Sequence, residues 1–385
     1  MKAGSWGSIL LIYLYGVLGS ASLSKVIPLQ GDFAQHLGAS PAQFGLLMAM
    51  LSIPPALFAT VSGSIADRIG ARTVLIASAL AGALANAMAW QASSLAAFQG
   101  IRLLEGFVLA GVYSSAPALV MATTSNERRG KAMAFWSTYT PVGISLGMLI
   151  GSHFAGGEDW RSAYAAQGAL FAVLAVAGLM LPASPRGGPA REVPSLLSAY
   201  AQPGPLRIAL SFAVLVVMGL GLNTVFPTWY AARHGGTVAG AASLYATLNF
   251  TMILGGLATA TLLGRGIEPQ KIFRGLAMLA GISALGIFMP GHGTSLMFTA
   301  LVVWLFVSGA ATAIVTSSLP RVISNPTQGA AAAGLLSQIA ALTTFVTPQL
   351  WILVLGSGAG AWAGFLAIIA VCWLLALWLF PIRDR

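Results

Sequence analysis

The sequence falls into twelve apolar runs, and these constrain the fold more than any motif does. A run of about 20 residues spans the roughly 30 Å hydrocarbon core of a bilayer as a helix. Lipid offers the backbone no hydrogen bonds, so a spanning segment is a helix or part of a closed barrel. Barrel strands alternate at period two, and these runs do not. Composition points the same way. The chain is 57% hydrophobic and 7% charged, whereas a soluble domain carries about 25% charged residues. Mean hydropathy is +0.84. The expectation is an all-α membrane protein with the lipid bilayer as its solvent.

The runs predict helices over 8–28, 41–64, 73–92, 96–121, 131–154 and 162–182, then over 206–229, 238–262, 270–290, 294–319, 329–352 and 357–381. The longest polar stretch lies between the two sets, from Pro182 to Pro205, and is rich in Pro and Gly with Arg186, Arg191 and Glu192. Such composition makes a flexible linker. The expected organisation is an N-terminal six-helix bundle over 1–182, a linker over 183–205 and a C-terminal six-helix bundle over 206–385.

Twelve helices put both termini on one side, and the charges say which. With Met1 inside, fifteen of the nineteen Lys and Arg residues fall in inner loops, tails or the linker. Only Arg161 and Arg233 fall outside, while Lys25 and Arg102 lie within helices. Cytoplasmic segments are the ones that retain Lys and Arg. This predicts a multi-pass protein of the inner, cytoplasmic membrane with both termini in the cytoplasm. The net charge of +10 then follows from topology and attraction to anionic headgroups, without a nucleic-acid partner. Lys2, the apolar run after it and Gly19-Ser20-Ala21-Ser22 have the outline of a signal peptide. Removing them would leave eleven helices and break the match of charge to side, so the segment is read as the first helix.

Soluble-enzyme and metal chemistry find little footing. Cys372 is the single cysteine, which excludes a disulfide framework or a cysteine metal cluster. His36, His153, His234 and His292 are scattered at outer helix ends without paired spacing. No serine sits in a nucleophile elbow and no glycine-rich loop precedes a P-loop lysine. The chain is not expected to be an enzyme or to hold a metal or organic cofactor.

Between the second and third helices runs Gly63-Ser64-Ile65-Ala66-Asp67-Arg68-Ile69-Gly70-Ala71-Arg72. Gly70 frees a tight cytoplasmic turn, and Asp67 is placed to accept from a helix N-terminus or an arginine. The segment resembles the signature loop of the major facilitator superfamily, G-x-x-x-D-R-x-G-R-K, with Ala71 in place of one basic residue. Three further stretches resemble that family in order: Arg102-Leu103-Leu104-Glu105-Gly106, Glu127-Arg128-Arg129-Gly130-Lys131-Ala132, and Trp160-Arg161. In the second half, Gly264-Arg265-Gly266 with Lys271 and Arg274 occupies the corresponding loop as a degenerate repeat. The resemblance implies two bundles rocking about a midplane site. It also implies a gating role for Gly63, Asp67, Arg68, Gly70, Arg72 and Arg129.

Ionisable residues inside the membrane are expensive and mark function. Lys25, Arg102 and Glu105 are the ones that the helix assignment places there. Arg102 and Glu105 share a face of helix four, on which Leu109 and Tyr113 follow. For Arg102 the choice is between a structural anchor and a substrate contact. Ionising a lone carboxyl in apolar surroundings costs several kcal/mol, so it can hold a proton at neutral pH. Glu105 is therefore the proton-coupling candidate, and the proton the expected coupling ion. Lys25 either snorkels to the outer surface or contacts an anionic substrate. Drug exporters of the family carry an acid near this place in helix one; here the sign is reversed. Two cations against one carboxylate favour a small organic anion. Asn223 of helix seven, Tyr245 and Asn249 of helix eight, and Gln338 of helix eleven complete the substrate candidates with Lys25, Arg102 and Tyr113. Gly143, Gly147 and Gly151 on helix five allow close packing. The exporter-type pattern G-P-x-x-G-G is broken there, Pro141 preceding Gly143. The expected function is proton-coupled transport of a small organic anion by a monomer. The alternative is an exporter of drugs or of a metabolite such as a siderophore.

Overall fold

The computed structural model describes residues 1–183, 203–291, 293–322 and 329–380. The linker stretch 184–202, His292 and the last five residues lie outside the described set, so expectations placed on them go unexamined. Among the described residues the regular structure is all helical, and twelve helical segments are long and apolar enough to cross a membrane.

Several spans are built from two helices. The first consists of α1 (Trp6–Ser24), a 3₁₀ turn over Ile27–Leu29 and α2 (Gln30–Leu37). The sequence predicts an end near Pro28, because proline lacks the N–H that would continue the ladder. The 3₁₀ turn with Pro28 near its start instead carries the chain into α2, which stops at Gly38 in the left-handed region (φ 63°). The second span divides into α3 (Pro41–Met50) and α4 (Ile53–Ile69), broken ahead of Pro54 and Pro55. After α5 (Ala71–Gln91) and α6 (Leu95–Thr123), the fifth span divides into α7 (Asn126–Trp136) and α8 (Tyr139–Phe154), and α9 (Ser162–Ala177) follows. The second half consists of α10 (Pro203–His234), α11 (Val238–Asn249), α12 (Thr251–Gly264), α13 (Pro269–Phe288), α14 (Thr294–Ser318), α15 (Gly329–Leu355) and α16 (Ala361–Leu379). Gly70, at φ 95°, makes the turn from α4 into α5, a conformation open to glycine and strained for other residues.

The chain forms two compact units: Met1–Glu192 with Gly236–Ala246, and Val193–Gly235 with Thr247–Arg385. In the first, Ile12, Tyr15, Leu75, Val112, Leu119 and Phe171 share one apolar cluster. There α8 lies against α1 through Gly143, Gly147 and Gly151. A Cβ on them would meet the carbonyls of Val17, Ala21 and Lys25 respectively. In the second unit α12 and α14 cross through a reciprocal pair, Gly255 on the Phe306 carbonyl and Gly309 on that of Met252. Lipid supplies no hydrophobic drive between helices, so such close backbone contact is what holds them.

Candidate functional site: a buried charge cluster

Lys25, Arg102 and Glu105 come together in the interior of the first unit, none of them more than 1% exposed. Lys25 Nζ donates to Glu105 Oε1 at 2.7 Å, and Arg102 Nη1 donates to Glu105 Oε2 at 2.6 Å. Both carboxylate oxygens thus face a cation. Charged residues are almost never this deeply buried unless paired.

Local structure explains why the three meet. Lys25 caps the C-terminus of α1, its N–H bonding to the Ala21 carbonyl. The helix breaks there, ahead of Pro28. Arg102 and Glu105, three residues apart, occupy one face of α6. Arg102 also bonds across to α1 and α3, from Nη1 to the Ser22 carbonyl (2.7 Å) and from Nε to that of Leu47 (3.2 Å). The opposite wall comes from α5 and α9. Asn86 Oδ1 accepts from Lys25 Nζ, while its Nδ2 donates to the Gly82 carbonyl at 2.8 Å and so fixes the amide orientation. The Tyr164 ring lies under the ammonium, 4.2 Å from Nζ to the centroid, a cation–π arrangement. Gln167 Nε2 donates to the Leu18 carbonyl and to Ser22 Oγ.

Among the described residues, the buried atoms Arg102 Nη2, Tyr164 Oη and Gln167 Oε1 have no hydrogen-bond partner. On the side toward α2 and α3, an aromatic group closes the cluster off. Phe98 lies 5.0 Å from Phe33, 5.6 Å from Trp160 and 5.4 Å from Tyr164. Asp32 on α2 accepts from the Gly156 N–H at 3.0 Å, tying the C-terminal end of the first span to the turn after α8.

The other candidates lie elsewhere. Tyr113, two turns along α6 from Glu105, pairs with Ser20 Oγ (2.9 Å) and packs on the Tyr139 ring (5.3 Å). Tyr245 is buried in the first unit, whereas Asn223, Asn249 and Gln338 belong to the second. Of the loop residues, Arg68 is exposed, Arg72 donates to the Leu179 carbonyl, and Arg129 reaches the Thr124 carbonyl at 3.4 Å. Gly63 lies within α4, and the Asp67 side chain falls outside the described set. The sequence reading missed Asn86, Tyr164 and Gln167. Their signal was available: Asn86 and Gln167 are lone amides within apolar helices. What it could not supply was that α5 and α9 converge on Lys25.

Comparison with known proteins bears on this architecture. A bacterial homolog to the human lysosomal transporter Spinster shares the fold with a TM-score of 0.78, at 18% identity over 99% of both chains. The nucleoside transporter NupG gives 0.75 at 18% identity, over 97% of this chain and all of that one. In sequence, the multi-drug resistance efflux pump PmrA of Streptococcus pneumoniae is 30% identical over 156 residues, 39% of either chain. The match therefore spans well under half the pump's length. An uncharacterised MFS-type transporter of Mycobacterium tuberculosis is 24% identical over 368 residues, 90% of this chain and 52% of that one. The sequence pattern of the Major Facilitator Superfamily runs over residues 9–348, from the first span into the eleventh, and the protein belongs to that superfamily.

Proposed function

We propose that this protein is a secondary active transporter that carries a small organic anion across the inner membrane by alternating access, coupled to protons. The observation that supports this most is the buried cluster, in which two cations oppose one carboxylate. A charge in a low-dielectric interior strongly disfavours its own sign. An excess positive charge, with an unpartnered donor on Arg102 Nη2, suits an anion and opposes an organic cation. Glu105 is the pivot, since both cations are bound to it. Lys25 and Arg102 are the substrate contacts, with Tyr113 on the same helix as Arg102; Asn223, Tyr245, Asn249 and Gln338 stand as the further candidates that the sequence offers. The loop with Gly63, Asp67, Arg68, Gly70 and Arg72, together with Arg129 on α7, gates the cycle.

Purified protein in proteoliposomes under an imposed pH gradient tests this reading. Radiolabelled succinate, citrate and gluconate stand for anions, and ethidium for cations. Accumulation of one or more of the anions supports the reading. Movement of ethidium with indifference to every anion overturns it. That outcome would favour a second reading, export of drugs or of a metabolite, for which the likeness to the pneumococcal efflux pump speaks.

A further inference from the structure

The three charges of the cluster do not balance, and among its own groups the imbalance has one chemical remedy. With Lys25 and Arg102 protonated and Glu105 ionised, the cluster holds one excess positive charge at almost zero exposure. An isolated charge in an apolar interior is so costly that the group neutralises instead. Arg102 cannot supply the change, because guanidinium does not lose its proton in proteins. Protonating Glu105 makes matters worse, leaving two cations with no anion. Only loss of a proton from Lys25 brings the cluster to zero.

Resting on the reading of proton coupling at this site, we infer that the proton this cluster exchanges is carried by Lys25 Nζ, with Glu105 as a permanent counter-ion. The step is an acid–base one. One N–H bond breaks, the electron pair stays on nitrogen, and the proton passes to water when the cycle opens the site. The reverse step takes a proton from water on the other side.

The surroundings of Nζ suit a group that must exist in both forms. Glu105 of α6, the Asn86 carbonyl oxygen of α5 and the Tyr164 ring face of α9 favour the ammonium. Arg102 of α6 and burial oppose it. From α8 the approach is backbone, Gly151 lying against the Lys25 carbonyl. A neutral amine keeps two donors, enough for Glu105 and Asn86, so losing the proton breaks neither contact. Charge also sets the coupling. An anion beside the cluster stabilises the ammonium, so anion and proton load together and leave together.

The protonation state is readable without any substrate. The chain has four lysines, Lys2, Lys25, Lys131 and Lys271, and all except Lys25 are exposed. Wild-type protein labelled with carbon-13 and nitrogen-15 lysine, in nanodiscs, should give one side-chain signal that switches between ammonium and amine across the pH range in which transport runs. The signal missing from Lys25→Met assigns it, and the other three should remain ammonium. Proteoliposomes give the functional half, with whichever of succinate, citrate or gluconate the wild type moves. Lys25→Arg, permanently charged, should lose pH-driven accumulation at least tenfold, a larger loss than it suffers in exchange of the anion for itself. A Lys25 signal that stays ammonium throughout, or Lys25→Arg accumulating like wild type, overturns the inference. Failure of the transport reading is a separate result: wild type would then move none of the anions, whatever the lysine signal does.

Discussion

Asn86 shows how a single amide can set the electrostatics of a buried site. Its nitrogen is held by the Gly82 carbonyl one helical turn back, so its oxygen points at Lys25. Asn86→Leu removes that acceptor and should destabilise the protein by about 1–3 kcal/mol, the usual range for an abandoned buried donor; a thermal melt reads it. Asn86→Asp is the more telling change. It adds a second carboxylate, two cations then face two anions, and the excess positive charge disappears. The protein should fold, yet bind anions at least tenfold more weakly, as titration calorimetry with the transported anion would measure. Arg102→Ala should be the harshest of the three, since it takes away bonds to Ser22, Leu47 and Glu105 together. Breaking a buried ion pair by removing one partner costs about 3–5 kcal/mol, and expression and melting temperature should fall accordingly.

Among the elements, the seam between α1 and α8 carries the tightest demand on the site. Gly147 lies where a Cβ would meet the Ala21 carbonyl and Ser24 Oγ, and Gly151 lies against the Lys25 carbonyl. A bulkier residue would push α1 away from α8 and move Lys25 off Glu105. Overpacking of this kind costs about 1–3 kcal/mol, so Gly147→Val should lower the melting temperature and reduce transport. Gly219 on α10 is the control: a Cβ there meets nothing within 4 Å. In a helix interior alanine is better than glycine by about 1 kcal/mol, so Gly219→Ala should be neutral or mildly stabilising. The glycine spacing on helix five was legible in the sequence as a packing face. Its partner was not, because a stripe of small residues says that something approaches closely and not which carbonyls do.

At the scale of the whole molecule, two expectations concern sidedness and gating. The Lys and Arg bias predicts a cytoplasmic linker. In a Cys372→Ser background, Gly188→Cys should resist impermeant maleimide in intact cells and react once they are opened; labelling from outside would reverse the topology. Asp67→Asn should slow transport and alter how readily each face of the protein is labelled, and unchanged rate and accessibility would remove the gating role.

Some of this architecture was fixed by one-dimensional chemistry. Length and apolarity of a run decide whether it spans a bilayer, because the hydrocarbon core has one thickness and satisfies no backbone group. The number of spans, the all-helical class and the superfamily were therefore readable from the sequence. The rarity of membrane charges likewise singled out Lys25, Arg102 and Glu105. What those charges do to each other was decided in three dimensions. From the sequence Glu105 is a lone carboxyl and Lys25 a cation near the outer surface. Folding breaks α1 at Lys25 and brings α5, α6 and α9 around it, so the carboxyl acquires two cations and the lysine loses all contact with water. Hydropathy is a property of each segment, whereas an ion pair belongs to two residues eighty positions apart. Only the packing that joins their helices determines whether either charge has a partner.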